Sequence, residues 1–204
     1  MKKIIFLFIF LLSNLTFSQN VTLDELINLR SQNLNEIEEK LALKGWSYEN
    51  GQEPEGTKAG KVNFAYKKSQ YDGTAVSFIK YYYSNSSNTR RIDIQISSID
   101  KYNQFLSRVK SLGCKLIDSK ITNNDLKKVY QNTKLTFIIV TSAYNKNYAS
   151  YWLAIFENND YNSTFNKNIY EEVAETNNYV VDTLVNEPKK KSQKTKYSIK
   201  KSKK

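Results

Sequence analysis

The stretch TAVSFIKYYY (74–83), SNSSNT (84–89), RRIDIQIS (90–97) reads as two strands joined by a polar loop. β-Branched and aromatic residues dominate the two arms, and the serine and asparagine cluster between them is turn chemistry. In the second arm Ile92, Ile94 and Ile96 alternate with Arg91, Asp93 and Gln95, so one sheet face is apolar and the other polar. A similar passage follows later: KLTFIIVTS (134–142), AYNKNY (143–148) and ASYWLAIF (149–156). A constant offset of 59 pairs Val76 with Leu135, Phe78 with Phe137, Ile79 with Ile138, Ile94 with Leu153 and Ile96 with Ile155.

Each hairpin is preceded by a helical pattern. Thr22 with Glu25 three residues on is a capping box, after which Leu23, Leu26, Ile27, Arg30, Leu34, Ile37 and Leu41 recur at helical spacing up to Gly45. The second helix starts after Ser97 or Ser98 and carries Ile99, Tyr102, Phe105, Leu106, Val109 and Leu112 to Gly113. Glycine suits the left-handed turn after a helix. Superposing the two glycines, an offset of 68, places Leu34 on Tyr102, Ile37 on Phe105, Leu41 on Val109 and Trp46 on Cys114. The change of offset leaves nine extra residues in the first copy, assigned to ENGQEPEGTKAG (49–60), read as a loop. Further strands are expected in KVNFAYKK (61–68), joined onward through a turn near Asp72-Gly73, and in CKLIDSKI (114–121) and LKKVYQN (126–132).

The expected fold is therefore α+β: two tandem repeats, each a helix plus three or four strands, forming an antiparallel sheet with two helices on one face. Repeat one spans 22–97 and repeat two 98–157, within a domain of 19–157. An extension of 158–186 combines a loop, ENNDYNSTFNKN (157–168), with a short helix or strand.

The first 18 residues read as a secretory signal peptide: Lys2 and Lys3, an apolar run from Ile4 to Leu12, then Thr16-Phe17-Ser18 before a cut ahead of Gln19. Nine apolar residues are far short of the ~20 that span a bilayer, so the mature protein is expected without a transmembrane segment, in a periplasm or outside the cell. The single cysteine, Cys114, excludes an intramolecular disulfide and is expected in the core. Of the net charge of +11, residues 187–204 carry +8 and the leader +2, which leaves the body nearly neutral at +1. The tail lysines are Lys189, Lys190, Lys191, Lys194, Lys196, Lys200, Lys201, Lys203 and Lys204. A segment of that composition is expected to be disordered and to attract anionic lipid or lipopolysaccharide; after export, nucleic acid enters only as extracellular DNA.

The chain has no histidine, which removes serine and cysteine triads that depend on it and histidine zinc sites. No phosphate-binding glycine motif is present. Asn158, Asn159, Asp160 and Asn162 lack the spacing of a calcium loop and read as a polar turn. Neither a metal nor a cofactor is expected, and the adjacent glutamates do not suggest a glycosidase pair. The surplus is aromatic, with 15 tyrosines and 10 phenylalanines. Tyr81, Tyr82 and Tyr83 beside Lys80, Arg90 and Arg91 are expected to form a basic aromatic binding patch, and alternation turns at least one of the tyrosines away from the core.

The leader ending in Phe-Ser before Gln19, the helix ending Lys44-Gly45-Trp46 and the Tyr/Asn/Lys-rich sheet resemble small exported α+β proteins of Bacteroidota. The tandem helix-plus-strands order, over 22–156, also looks like that of β-lactamase inhibitor proteins, with no functional residues carried over. The expected function is a non-enzymatic binding protein that meets a protein or glycan. The alternative is a secreted inhibitor docking on an enzyme.

Overall fold

A computed structural model describes residues 20–163, apart from positions 57, 86, 146 and 147 and, for side chains, 143–149. The leader, the stretch 164–186 and the lysine tail lie outside the described residues. Helix α1 (Leu23–Arg30) opens with the expected capping box: the Glu25 amide donates to Thr22 Oγ1 at 3.2 Å, and the Thr22 amide donates to Glu25 Oε2 at 2.8 Å. Burial works to raise the Glu25 pKa, but Lys44 and Thr22 outweigh it and hold the carboxyl below its usual range. A depressed carboxyl stabilises the fold above its unfolded pKa, and that contribution is lost as pH falls through the folded value. Thr22→Ala is expected to cost about 1 kcal/mol in urea unfolding at neutral pH. The difference between the wild type and Glu25→Gln should shrink on acidification.

The one long helix expected from Thr22 to Gly45 is two. Ser31 Oγ donates to the Asn28 carbonyl at 2.8 Å, and Asn33 caps α2 (Leu34–Ala42) by accepting from the Glu36 amide at 3.0 Å. These short polar side chains satisfy the backbone groups that a break exposes. Helix α3 (Ile99–Ser111) starts at Ser98, whose hydroxyl accepts from the Lys101 amide at 3.1 Å. Gly45 and Gly113 both take left-handed angles, φ +78° and +77°.

The strands are β1 (Trp46–Gln52), β2 (Gly60–Tyr66), β3 (Ser77–Tyr83), β4 (Arg90–Ile96), β5 (Lys115–Thr122), β6 (Asp125–Gln131), β7 (Leu135–Asn145) and β8 (Tyr148–Glu157). Residues 49–52, expected in a loop, belong to β1, where Asn50, Gly51 and Gln52 pair with Asn63, Val62 and Lys61. Gly60 lets the chain return so tightly that a Cβ there would lie 2.6 Å from Pro54 Cδ. A short helix, α4 (Asn158–Asn162), occupies the start of the segment read as a loop. It is held because the Asn158 side chain donates to the Asn132 carbonyl at 3.0 Å and accepts from Thr136 Oγ1 at 2.9 Å.

All eight strands form one antiparallel sheet in the order β1-β2-β3-β4-β8-β7-β6-β5. The architecture is α+β, and the order is a palindrome centred on β4 and β8, where Ile94 lies opposite Leu153. A register shift falls between Tyr48 and Asn50 in β1 and between Leu116 and Asp118 in β5, at residues 68 apart. The offset of 59 holds for β4 and β8, whose Ile94, Ile96, Leu153 and Ile155 all join the helix-side core. It does not hold for β3 and β7. Ile79 faces the helices and Ile138 the other side, because β3–β4 pairs Ile79 with Ile94 while β7–β8 pairs Ile138 with Ala154. A slip of one residue reverses every side chain.

Among the described residues, three helices rather than two pack on the inner face. Leu23, Leu26 and Leu29 of α1, Ile37 and Leu41 of α2, and Phe105 and Val109 of α3 meet Phe64, Ile79, Ile92, Ile94, Phe137 and Leu153 of the sheet. Cys114 is buried in the same core. Among the described residues no helix is long and apolar enough to cross a membrane.

Candidate interaction surface

The expected basic aromatic patch is divided by the sheet. Tyr81 and Tyr83 turn to the helix side, where their rings stack at 5.9 Å. Tyr81 is buried and its hydroxyl donates at 2.9 Å to the Gln32 carbonyl, in the break between α1 and α2; burial raises its pKa. Tyr83 donates at 2.9 Å to Glu53 Oε2, and burial together with that carboxylate pushes its phenol up to about 12. The Arg90 guanidinium closes its own loop, donating to the Ser84 and Thr89 carbonyls at 3.3 and 3.0 Å. These three residues are structural and form no common surface with Lys80, Tyr82 and Arg91. The physical reason is the two-residue period of the strand, which no run of identical aromatics can override.

Lys80, Tyr82 and Arg91 lie together on the outer face, away from the helices. The cross-strand register sets out its rows: Lys61, Tyr82 and Arg91 in one; Asn63, Lys80, Asp93, Ala154, Ile138 and Val129 in the next; then Gln95, Trp152, Val140 and Lys127. The expected polar character therefore holds across β2–β4 and returns only with Lys127 of β6 and with β5. Between them the face is apolar, with Val129, Ile138, Val140, Trp152, Ala154 and Phe156 in one cluster with Tyr82.

At the boundary of the two halves the Arg91 guanidinium lies over the rings of Tyr82, at 4.4 Å, and Phe156, at 5.3 Å. It donates to both oxygens of Asp93, from Nε at 2.7 Å and from Nη2. Arg91 is 1% exposed and Asp93 3%, so this planar pair is part of the interior. Lys80 stands over the Trp152 ring at 5.4 Å and is half-buried. The Trp152 indole N–H is buried and has no hydrogen-bond partner among the described residues. Lys61, Asn63, Phe78 and Lys80 are the partly accessible residues of the polar half.

The end of α1 is tied to α4, whose Tyr161 packs against the outer-face cluster. Arg30 pairs with Glu157 at 2.7 Å and approaches Asp160 at 4.0 Å. Burial raises the Asp160 pKa against the pull of the Arg90 amide, which donates to it at 3.3 Å. Of the residues read as a polar turn, Asp160 and Asn158 thus serve packing. Among the described residues no group of three or more histidine, cysteine or acidic side chains is placed to hold a metal. Burial pushes the Cys114 thiol up, away from nucleophilic character. Compared with protein-family models, curated proteins and solved structures, the chain finds no match.

Proposed function

We propose that the chain is an exported, non-enzymatic interaction protein that recognises a protein or glycan partner through the polar half of its outer sheet face. The observation that carries this reading is the arrangement of Lys61, Asn63, Phe78 and Lys80 around the desolvated Tyr82–Arg91–Trp152 group, on a face that none of the three longer helices covers. The buried aromatic and arginine side chains give a rigid floor, and the partly accessible Lys61, Asn63, Phe78 and Lys80 above it are the groups a partner would touch. Export rests on the leader, and the lysine tail adds attraction to anionic envelope material. The palindromic strand order and the paired bulges support reading the chain as two copies of one helix-plus-four-strand unit.

The test separates face from tail. Envelope extract is passed over the immobilised protein, over Lys80→Glu/Phe78→Glu, and over a chain ending at 186, across a salt series. Capture that survives salt, needs Lys80 and Phe78 and tolerates loss of the tail supports the proposal. Capture lost with the tail and with salt, but indifferent to the face, would reduce the protein to an electrostatic surface binder.

A further inference from the structure

Among the described residues strand β5 ends the sheet: it pairs with β6 on one side and with no strand on the other. Seven of its eight residues are exposed, among them Leu116 at 51%, Ile117 at 52% and Ile121 at 75%. Three large apolar side chains on one free edge are a template for another strand. Edges of this kind are normally blunted by charge, and β5 carries Lys115, Asp118 and Lys120. What matters is whether those charges repel or match an incoming strand.

The register provides an answer. Asp118 lies opposite Val129 and Lys120 opposite Lys127, so both charges project on the outer face, while Ser119 and Ile121, opposite Lys128 and Leu126, project on the helix side. Consider a second β5 laid antiparallel. Adjacent antiparallel pairs alternate between hydrogen-bonded and non-hydrogen-bonded types. A two-fold axis must map each pair onto one of its own type, so the axis passes through a residue that faces itself. Centred on Asp118 or on Lys120, the ladder sets like charges directly opposite. Centred on Ser119, it sets Asp118 against Lys120 twice on one face, within the stretch from Asp118 to Thr122 that follows the register shift between Leu116 and Asp118. Opposite charges in direct cross-strand positions are stabilising.

We propose that β5 is a self-association edge, on which a second copy of this chain pairs its own β5 antiparallel about a two-fold at Ser119. The interface is isologous, and one continuous sheet runs through both copies. The charges on this edge select the register of self-pairing.

The experiment uses the full-length gene product as its host processes it, studied by sedimentation velocity over a concentration series, with circular dichroism to confirm that each variant is folded. The wild type is expected to show a monomer–dimer equilibrium. Lys120→Asp places two carboxylates opposite two others and should weaken the dimer by about tenfold or more. The exchange Asp118→Lys/Lys120→Asp restores the complementarity and should return the dimer. Ser119→Cys should give a disulfide-linked dimer under mild oxidation, whereas Asn123→Cys should not. A wild type that is monomeric at every concentration, a dimer indifferent to Lys120→Asp, a charge exchange that fails to restore it, or linkage through Asn123→Cys in place of Ser119→Cys would each overturn the proposal.

Discussion

Asp93→Ala should lower folding stability by about 3–5 kcal/mol, the usual consequence of removing one member of a buried ion pair. The loss arises less from the contact itself than from what remains. Arg91 is 1% exposed, stacked on Tyr82 and Phe156, and the substitution takes away the carboxylate that accepts from Nε and Nη2. A guanidinium held in such a place must either stay charged without that carboxylate or force the sheet face open to reach water. Replacing both members with residues of similar volume, Arg91→Met/Asp93→Leu, removes the charge and its desolvation together and should cost far less than Asp93→Ala alone. Urea unfolding of the single and double variants decides the matter. A loss below about 1 kcal/mol for Asp93→Ala would mean that the guanidinium finds water easily. Arg91 and Tyr82 would then return to the accessible recognition surface, and the role assigned here to Lys80 and Phe78 would widen to include them.

This pair marks how far the sequence could be read. The alternation of Ile92, Ile94 and Ile96 with Arg91, Asp93 and Gln95 states both faces of β4, because one face is apolar and the other is not. Thr22 with Glu25, and Gly45 with Gly113, give local backbone chemistry that tertiary structure leaves intact. In β7 the signal disappears. Phe137, Ile138, Ile139 and Val140 are all buried, since the sheet has apolar neighbours on both sides there, so no period of two remains. An offset wrong by one residue looks as good as a right one. Ile79 therefore matches Ile138 in sequence while the two face opposite sides of the sheet, and no pattern in β7 marks the apolar half of the outer face. The Tyr81-Tyr82-Tyr83 run fails for a related reason: three like side chains carry no parity, and only the pairing of Tyr81 with Ile92 and Tyr82 with Arg91 assigns their faces. The break at Ser31–Asn33 was hidden because the apolar stripe resumes at Leu34, so periodicity outweighed the polar caps. The β5 edge was legible as a strand, but its position at the end of the sheet depends on the joining of β4 to β8, which no local pattern encodes.

That central joining can be tested directly. Ile94 and Leu153 are both fully buried, lie opposite one another across β4 and β8, and come from the two halves of the palindrome. Ile94→Ala and Leu153→Ala are each expected to lose about 2–5 kcal/mol. Because the two side chains are neighbours, the double variant should depart from the sum of the singles by at least about 0.5 kcal/mol. The more telling result concerns cooperativity. Trp46 on β1 and Trp152 on β8 report on the two halves separately, and both are buried. In single-tryptophan variants made by Trp152→Phe and Trp46→Phe, Leu153→Ala should shift both fluorescence transitions equally, relative to the corresponding parent with Leu153 intact. One continuous sheet on one inner core unfolds as a unit. If Leu153→Ala moved only the Trp152 transition, the halves would be separate folding units that merely abut at β4 and β8. The pairing of Ile94 with Leu153 would then be a docking contact, and the inner core shared by all three longer helices would not be the source of the fold's stability.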